Sequence, residues 1–100
     1  MKPVSRPLAH AAVDTLGVES QTLKAIEELC ELAAALARYR IYGDDVLAVA
    51  EELVDARIML AQVEYMLTTL CAIPTERLDA MQDSKSERLA RIIEDARGGE

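Results

Sequence analysis

The fold is decided by residues 44–70, which read DDVLAVAEELVDARIMLAQVEYMLTTL. At 100° per residue, the apolar side chains of this stretch spread around nearly the whole circumference of a helix. They are Val46, Leu47, Val49, Leu53, Val54, Ile58, Leu60, Val63, Leu67 and Leu70. Because a helix that is apolar all round is buried on all sides, the stretch predicts a central helix that is shared with a second copy of the chain.

Glycine and proline divide the rest of the sequence into three further helical segments. They cover about residues 7–16, 19–40 and 74–97, and residues 83–86 are the candidate position for a break or kink in the last one. No segment alternates with period two, so no strand is expected. We therefore predict a single all-α domain over residues 1–100, an antiparallel bundle of about four helices that oligomerises through the central helix. The expected caps and stops are Ser5, Gly17, Gly43 and Asp44 or Asp45.

Composition excludes several function classes. The chain has 100 residues, a formal net charge of −7 and 51% hydrophobic residues. Such an acidic chain does not bind a nucleic acid polymer through its phosphates, and charged residues interrupt every apolar stretch that could span a membrane. Cys30 and Cys71 lack CxxC spacing and stand among apolar residues, so we expect reduced core cysteines in a cytoplasmic protein. The apolar excess predicts a subunit interface.

Two carboxylate pairs carry the functional prediction. Glu28 and Glu31 are an i, i+3 pair on the second segment, and Glu52 and Asp55 are another on the third. The short connection around residue 43 makes these segments antiparallel neighbours, so the pairs should face each other. Four converging carboxylates repel unless a cation lies between them, and an all-oxygen cluster selects Mg²⁺, with Mn²⁺ possible. His10 is the only histidine and lies far from both pairs, which argues against a di-iron centre.

The same residues carry a resemblance to a known family. Residues 26–32 (IEELCEL) and 51–55 (EELVD) resemble the EExxE and ExxD signature of the MazG-like, all-α nucleoside triphosphate pyrophosphatase superfamily. The resemblance covers roughly residues 15–70 and, more weakly, residues 85–92. It implies cleavage of a nucleoside triphosphate to the monophosphate and pyrophosphate, by a homodimer or homotetramer. It also implies that the catalytic, metal-binding residues are Glu28, Glu31, Glu52 and Asp55.

Further residues are candidates for substrate binding. The resemblance implies that Lys24 contacts phosphate or orients a ligand and that Gln21 contacts the nucleotide, since both precede the first motif as residues of this type do in the family. Lys85 and Arg88 lie on one side of the last helix, from where they could reach a triphosphate. Each has a simpler interpretation as well: Lys24 can pair with Glu28 at i, i+4, and the cations of the last helix can pair with its acidic residues.

Two alternatives remain beside the enzyme. The chain could be a non-catalytic acidic helical module that regulates a partner, or a relative that binds metal and nucleotide without turnover. The sequence does not identify the base or the sugar, and it does not distinguish a dimer from a tetramer.

Overall fold

The computed structural model describes residues 1–98, which form four α-helices and no strand. Helix α1 is Arg6–Leu16, α2 is Val18–Tyr42, α3 is Val46–Tyr65 and α4 is Thr75–Gly98. A π-helical segment, Met66–Leu70, continues α3 by one wider turn. The predicted all-α architecture is confirmed. Within residues 1–98, no helix combines the length and apolar character that a membrane span needs.

The helix ends follow the predicted local chemistry. The Ser5 hydroxyl accepts a hydrogen bond from the Leu8 amide at 3.3 Å, and Asp45 Oδ1 accepts one from the Leu47 amide at 2.9 Å. Gly43 ends α2 in the left-handed region at φ 69°. Gly17 adopts φ 98° and ψ 145°, a conformation open to glycine, and so joins α1 to α2 through a single residue.

Helices α1, α2 and α3 form one packed unit. The antiparallel register of α2 and α3 pairs Gln21 with Gln62 and brings Glu28 near Asp55. The interior consists mainly of small side chains and methionines, which allows the helix backbones to approach closely. Its buried apolar members are Ala9, Val13, Ala25, Ala35, Ala56, Met59 and Met66.

Within one chain, α3 is buried on one face only. Ala56, Met59 and Gln62 are its buried residues, whereas Leu53 and Leu60 are 39% and 49% exposed. The single chain therefore buries α3 in part, and the expectation that a second copy covers the rest stays a prediction. The physical reason is that α1 and α2 cover one side of α3, and no other element of residues 1–98 covers the remainder.

Helix α2 also packs through a different face from the one that its apolar residues predict. The apolar residues at helical spacing are Leu23, Ile26, Leu29, Cys30, Ala33, Leu36 and Ala37. The buried residues are Gln21, Ala25, Glu28 and Ala35, which are small or polar, while Leu23 is 62% exposed. The predicted core positions of Cys30 and Cys71 are wrong, since both free thiols are exposed. Cys30 lies on the outward apolar side of α2, and Cys71 follows the π-helical segment.

Helix α4 stands apart from the three-helix unit. It continues through residues 83–86 without the expected break, and none of its residues is buried. The Cα radius of gyration is 16.7 Å, compared with about 13 Å for a compact chain of 100 residues. The described chain is therefore elongated, with its longest dimension at 53 Å.

Candidate metal centre

The predicted carboxylates meet between α2 and α3. Glu28, Glu52 and Asp55 each offer one carboxylate oxygen, and these three atoms lie within 4.8 Å of one another. A second group, formed by Glu27, Glu28 and Glu31, meets the same distance criterion and shares Glu28 with the first. The structure thus brings both predicted i, i+3 pairs together, with Glu28 at the centre.

Two oxygen atoms of this cluster are buried without a partner. Glu28 is 8% exposed, and its Oε2 atom has no hydrogen-bond partner among residues 1–98. The Oε2 atom of Glu52 is also buried and has no hydrogen-bond partner among these residues. A buried carboxylate oxygen that forms no hydrogen bond is costly, because its lost hydration is not replaced. The residues therefore fit a hard divalent cation, which would satisfy both atoms and for which an all-oxygen donor set is suited.

Lys24 partly neutralises the cluster from one side. Its Nζ atom lies 3.1 Å from Glu28 Oε1 and 3.8 Å from Glu27 Oε1. The hydrogen bond to Glu28, followed by the charges of Glu27 and Glu28, raises the pKa of Lys24. The i, i+4 ion pair is thus present. The lysine side chain is 50% exposed, so it also remains accessible to a ligand.

The negative charge of the cluster acts on Glu31. The charge of Glu28 raises the pKa of the Glu31 carboxyl above its ordinary value, and partial desolvation and the charge of Glu52 add to the effect. Glu31 is exposed, in contrast to Glu28. A carboxyl group whose pKa is raised in this way becomes easier to ionise when a cation is bound beside it.

Gln21 lies at the helix interface. It is 7% exposed, and its Nε2 atom donates a hydrogen bond of 2.7 Å to Oε1 of Gln62, which is 5% exposed. Gln62 was not among the residues that we predicted for the site. Its signal in the sequence is an uncharged polar side chain between the apolar residues Ala61 and Val63, because such a side chain needs a hydrogen-bond partner where it is buried.

Two cavities adjoin this amide pair, and Gln21 lines both. An open groove of about 970 Å³ is bordered by Gln21, Lys24, Glu27 and Met59. A second cavity of about 580 Å³ lies between residues 1–5, α1 and α3. Its wall is fixed by Arg57, whose Nη1 atom donates a hydrogen bond of 3.3 Å to the Lys2 carbonyl.

Lys85 and Arg88 do not join the carboxylates within the chain. They lie on α4, where they border a surface groove of about 480 Å³ together with Arg77 and Arg91. Since no residue of α4 is buried, nothing holds this basic surface against α2 or α3 of the same chain. Their predicted role in substrate binding therefore stays a prediction.

His10 has a packing role. Its ring stacks on Tyr65 with a centroid distance of 4.0 Å and an interplanar angle of 20°. The Tyr65 hydroxyl donates a hydrogen bond of 2.8 Å to Asp14 Oδ1, which raises the pKa of Tyr65. These contacts hold α1 against α3, and the His10 ring covers one face of the tyrosine ring.

Comparisons with known proteins found no relative of this chain. The chain matches no protein-family model, no curated protein and no solved structure. Any functional conclusion therefore rests on the residues and the geometry of the site.

Proposed function

We propose that this chain is a Mg²⁺-dependent nucleoside triphosphate pyrophosphohydrolase, which releases pyrophosphate and a nucleoside monophosphate. The observation that carries the proposal is the convergence of Glu28, Glu52 and Asp55 around two buried, unpartnered carboxylate oxygens. The choice of reaction rests on the resemblance of residues 26–32 and 51–55 to the EExxE and ExxD signature.

In this proposal, Glu28, Glu31, Glu52 and Asp55 hold Mg²⁺ or Mn²⁺. When bound, the ion would supply neutralisation of negative charge on the phosphate oxygens. The protein supplies rigid positions for the carboxylates, because each pair lies on a helix and Glu28 is held by Lys24. A carboxylate oxygen of this cluster that is not a ligand accepts the proton of the attacking water.

The groove beside Lys24 is the proposed nucleotide site. Its volume of about 970 Å³ lies at the upper end of the range typical of small-molecule sites, roughly 300–1,000 Å³. Lys24 borders this groove and can pair with a phosphate oxygen through its exposed ammonium group. Gln21 borders it from the helix interface and is the candidate for a contact to the nucleotide.

We propose in addition that the active form is a homodimer or homotetramer built on α3. Val46, Leu53 and Leu60 recur every seven residues on α3 and are 55%, 39% and 49% exposed. A seven-residue repeat of exposed aliphatic side chains is typical of a helix that packs on another helix. At 100° per residue, Leu53 and Leu60 lie roughly 140–160° from Asp55, so the interface leaves the carboxylates free.

The proposed location of the protein is the cytoplasm, where its two free thiols would stay reduced.

The test is a hydrolysis assay with Mg²⁺ and a panel of ribo- and deoxyribonucleoside triphosphates. Release of both pyrophosphate and monophosphate supports the proposal if it is lost in the double variant Glu52→Gln, Asp55→Asn. Glu51→Gln is the matched control, since Glu51 is exposed, adjacent in sequence and outside both carboxylate groups.

The other outcomes of this assay select the alternatives. If no nucleotide is cleaved but Mg²⁺ raises the melting temperature of the parent and not of the double variant, the chain binds metal without turnover on this panel. If neither effect appears, the cluster is only an acidic surface, and a non-catalytic interaction module replaces the enzyme.

A further inference from the structure

Helix α4 carries an apolar stripe that the rest of residues 1–98 leaves largely uncovered. Five of its side chains fall within about 120° of arc at 100° per residue. They are Leu78, Met81, Leu89, Ile92 and Ile93, and the last four are 42–56% exposed. An isolated helix is marginal in water, because most helix stability in proteins comes from packing an apolar face. The structure of one chain thus leaves α4 without the contact that would stabilise it.

The exposed area has the size of a subunit interface. The accessible surface of the chain is 7668 Å², about 2,000 Å² more than a compact monomer of 11.0 kDa exposes. If two copies cover this excess from each other, about 4,000 Å² is removed from solvent, which lies within the range of permanent homodimers. A second copy of the chain is therefore large enough to cover the exposed surface.

A matching apolar surface lies on α2. The outer α2 stripe consists of exposed apolar side chains on the side opposite to the Gln21–Gln62 pair. It comprises Leu23, Ile26, Cys30, Ala33 and Ala37. Glu27 and Glu31, both exposed, form an acidic edge beside this stripe.

The charges on the two helices are complementary. The apolar stripe of α4 has a basic edge, where Arg77 and Arg88 lie beside it at 100° per residue. Lys85 lies within the arc of the stripe and lines the same groove as these arginines and Arg91. The outer α2 stripe is bordered by the acidic edge. Apolar contact and opposite charge therefore coincide when α4 lies along α2.

We propose that α4 is an arm exchanged between two copies of the chain. Its apolar stripe packs on the outer α2 stripe of the second copy, and Lys85 and Arg88 lie along that copy's acidic edge. Each carboxylate cluster then receives its cations from the other copy. That these cations contact phosphate rests on the function proposed above, whereas the docking of α4 does not.

The experiment is zero-length carbodiimide cross-linking of isotopically mixed protein. Unlabelled and ¹⁵N-labelled chains are unfolded together, refolded and coupled without nucleotide or metal. The chain has three lysines, and only Lys85 lies on α4. The expected product joins Lys85 of one isotope to Glu27 or Glu31 of the other. Coupling of Lys24 to Glu28, which lie 3.1 Å apart, is the internal control and must join like isotopes.

Two variants sharpen the result. Lys85→Arg keeps the positive charge, but carbodiimide does not couple an arginine side chain to a carboxylate. This variant should therefore lose only the mixed-isotope product. Leu89→Glu combined with Ile92→Glu replaces residues that are exposed in the single chain, so the three-helix unit should fold while the mixed-isotope product of Lys85 is lost. Cys30 should also react more slowly with a thiol reagent than Cys71 in the parent, and at a similar rate in this double variant.

Several results would overturn the proposal. Lys85 products that join only like isotopes would mean that α4 folds back on its own chain. Cross-linking of Lys24 without any cross-link from Lys85 would exclude the exchange of α4. A molecular mass of 11.0 kDa by light scattering, which is the mass of one chain, would also exclude it. Because the assay uses no substrate, a lack of pyrophosphohydrolase activity would count against the proposed function only.

Discussion

Gln21 and Gln62 form a buried amide pair across α2 and α3, with Nε2 of Gln21 2.7 Å from Oε1 of Gln62. The pair lies at the same interface as the carboxylates and is seven residues before Glu28 on α2. Both side chains are almost fully buried, so neither can exchange its partner for bulk water. The pair therefore fixes the register in which Glu28 meets Glu52 and Asp55.

We expect Gln62→Met to destabilise the chain by about 1–3 kcal/mol, because the buried amide of Gln21 loses its partner. The double variant Gln21→Met, Gln62→Met should recover most of this loss, since both polar groups are then removed together. Urea unfolding of the four proteins of this cycle gives the coupling free energy. Additive effects of the two substitutions would show that the amides do not act as a pair.

We expect Mg²⁺ to raise the melting temperature of the parent and to have little effect on Glu52→Gln. The physical reason is that the ion binds the folded cluster and satisfies the buried Glu28 and Glu52 oxygens. In the absence of metal, Glu52→Gln should be at least as stable as the parent, because one source of like-charge repulsion is gone. Differential scanning fluorimetry with and without Mg²⁺ measures both effects. Glu51→Gln should respond to Mg²⁺ as the parent does.

A third prediction concerns the pH dependence of stability in the metal-free chain. The pKa of Glu31 is raised in the folded state, so the folded chain binds this proton more tightly than the unfolded chain does. The associated stability is fully present below the unfolded pKa of the group and is lost as pH rises through the folded pKa. Unfolding by urea at a series of mildly acidic to neutral pH values measures the slope. Glu31→Gln should flatten it, and an unchanged slope would contradict this assignment.

Lys24→Gln should have opposite effects on metal and nucleotide. Removal of the ammonium group 3.1 Å from Glu28 Oε1 should tighten Mg²⁺ binding, because a competing cation is lost. If Lys24 contacts phosphate, kcat/KM should fall by roughly tenfold or more, which is the loss expected for a hydrogen bond to a charged group. Calorimetric titration with Mg²⁺ and initial rates with the preferred nucleotide measure the two effects. Lys2→Gln serves as the control, since Lys2 lies outside this cluster.

Gly17 and Gly43, which lie between consecutive helices, should differ in their tolerance of substitution. A Cβ atom at either Gly17 or Gly43 would meet no atom within 4 Å, so any cost comes from the backbone. Gly43 has the left-handed helical conformation, where alanine costs about 1–2 kcal/mol and asparagine less. Gly17, at φ 98° and ψ 145°, lies where side chains are rarely found, so Gly17→Ala should cost more than Gly43→Ala. Chemical denaturation of the three variants Gly17→Ala, Gly43→Ala and Gly43→Asn tests this order.

Local signals in the sequence are sufficient for most of the fold. Ser5, Gly17, Gly43 and Asp45 act through their own conformations and hydrogen bonds, so they can be read without tertiary information. The convergence of the two carboxylate pairs also follows locally, from i, i+3 spacing and one short connection. These features depend on few residues and on no choice between competing packing partners.

The choice of packing face could not be predicted in the same way. Helical periodicity shows that α2 has an apolar side, but it does not show whether that side meets α3 or remains exposed. Here α2 meets α3 through Gln21, Ala25, Glu28 and Ala35, because small side chains and a paired amide allow close approach. The same limit explains why the exposure of Cys30 was not predicted, and why periodicity could not show that α4 stays without a buried residue in the described part of the chain.

The cavity wall formed by residues 1–5 has a practical consequence for fusion proteins. Because Arg57 holds the Lys2 carbonyl, the α-amino end of this segment is held beside the 580 Å³ cavity and close to α3. A tag or domain joined to Met1 without a spacer would therefore emerge beside that cavity and could obstruct it. The same geometry would give a naturally fused upstream domain direct steric control over access to this part of the molecule.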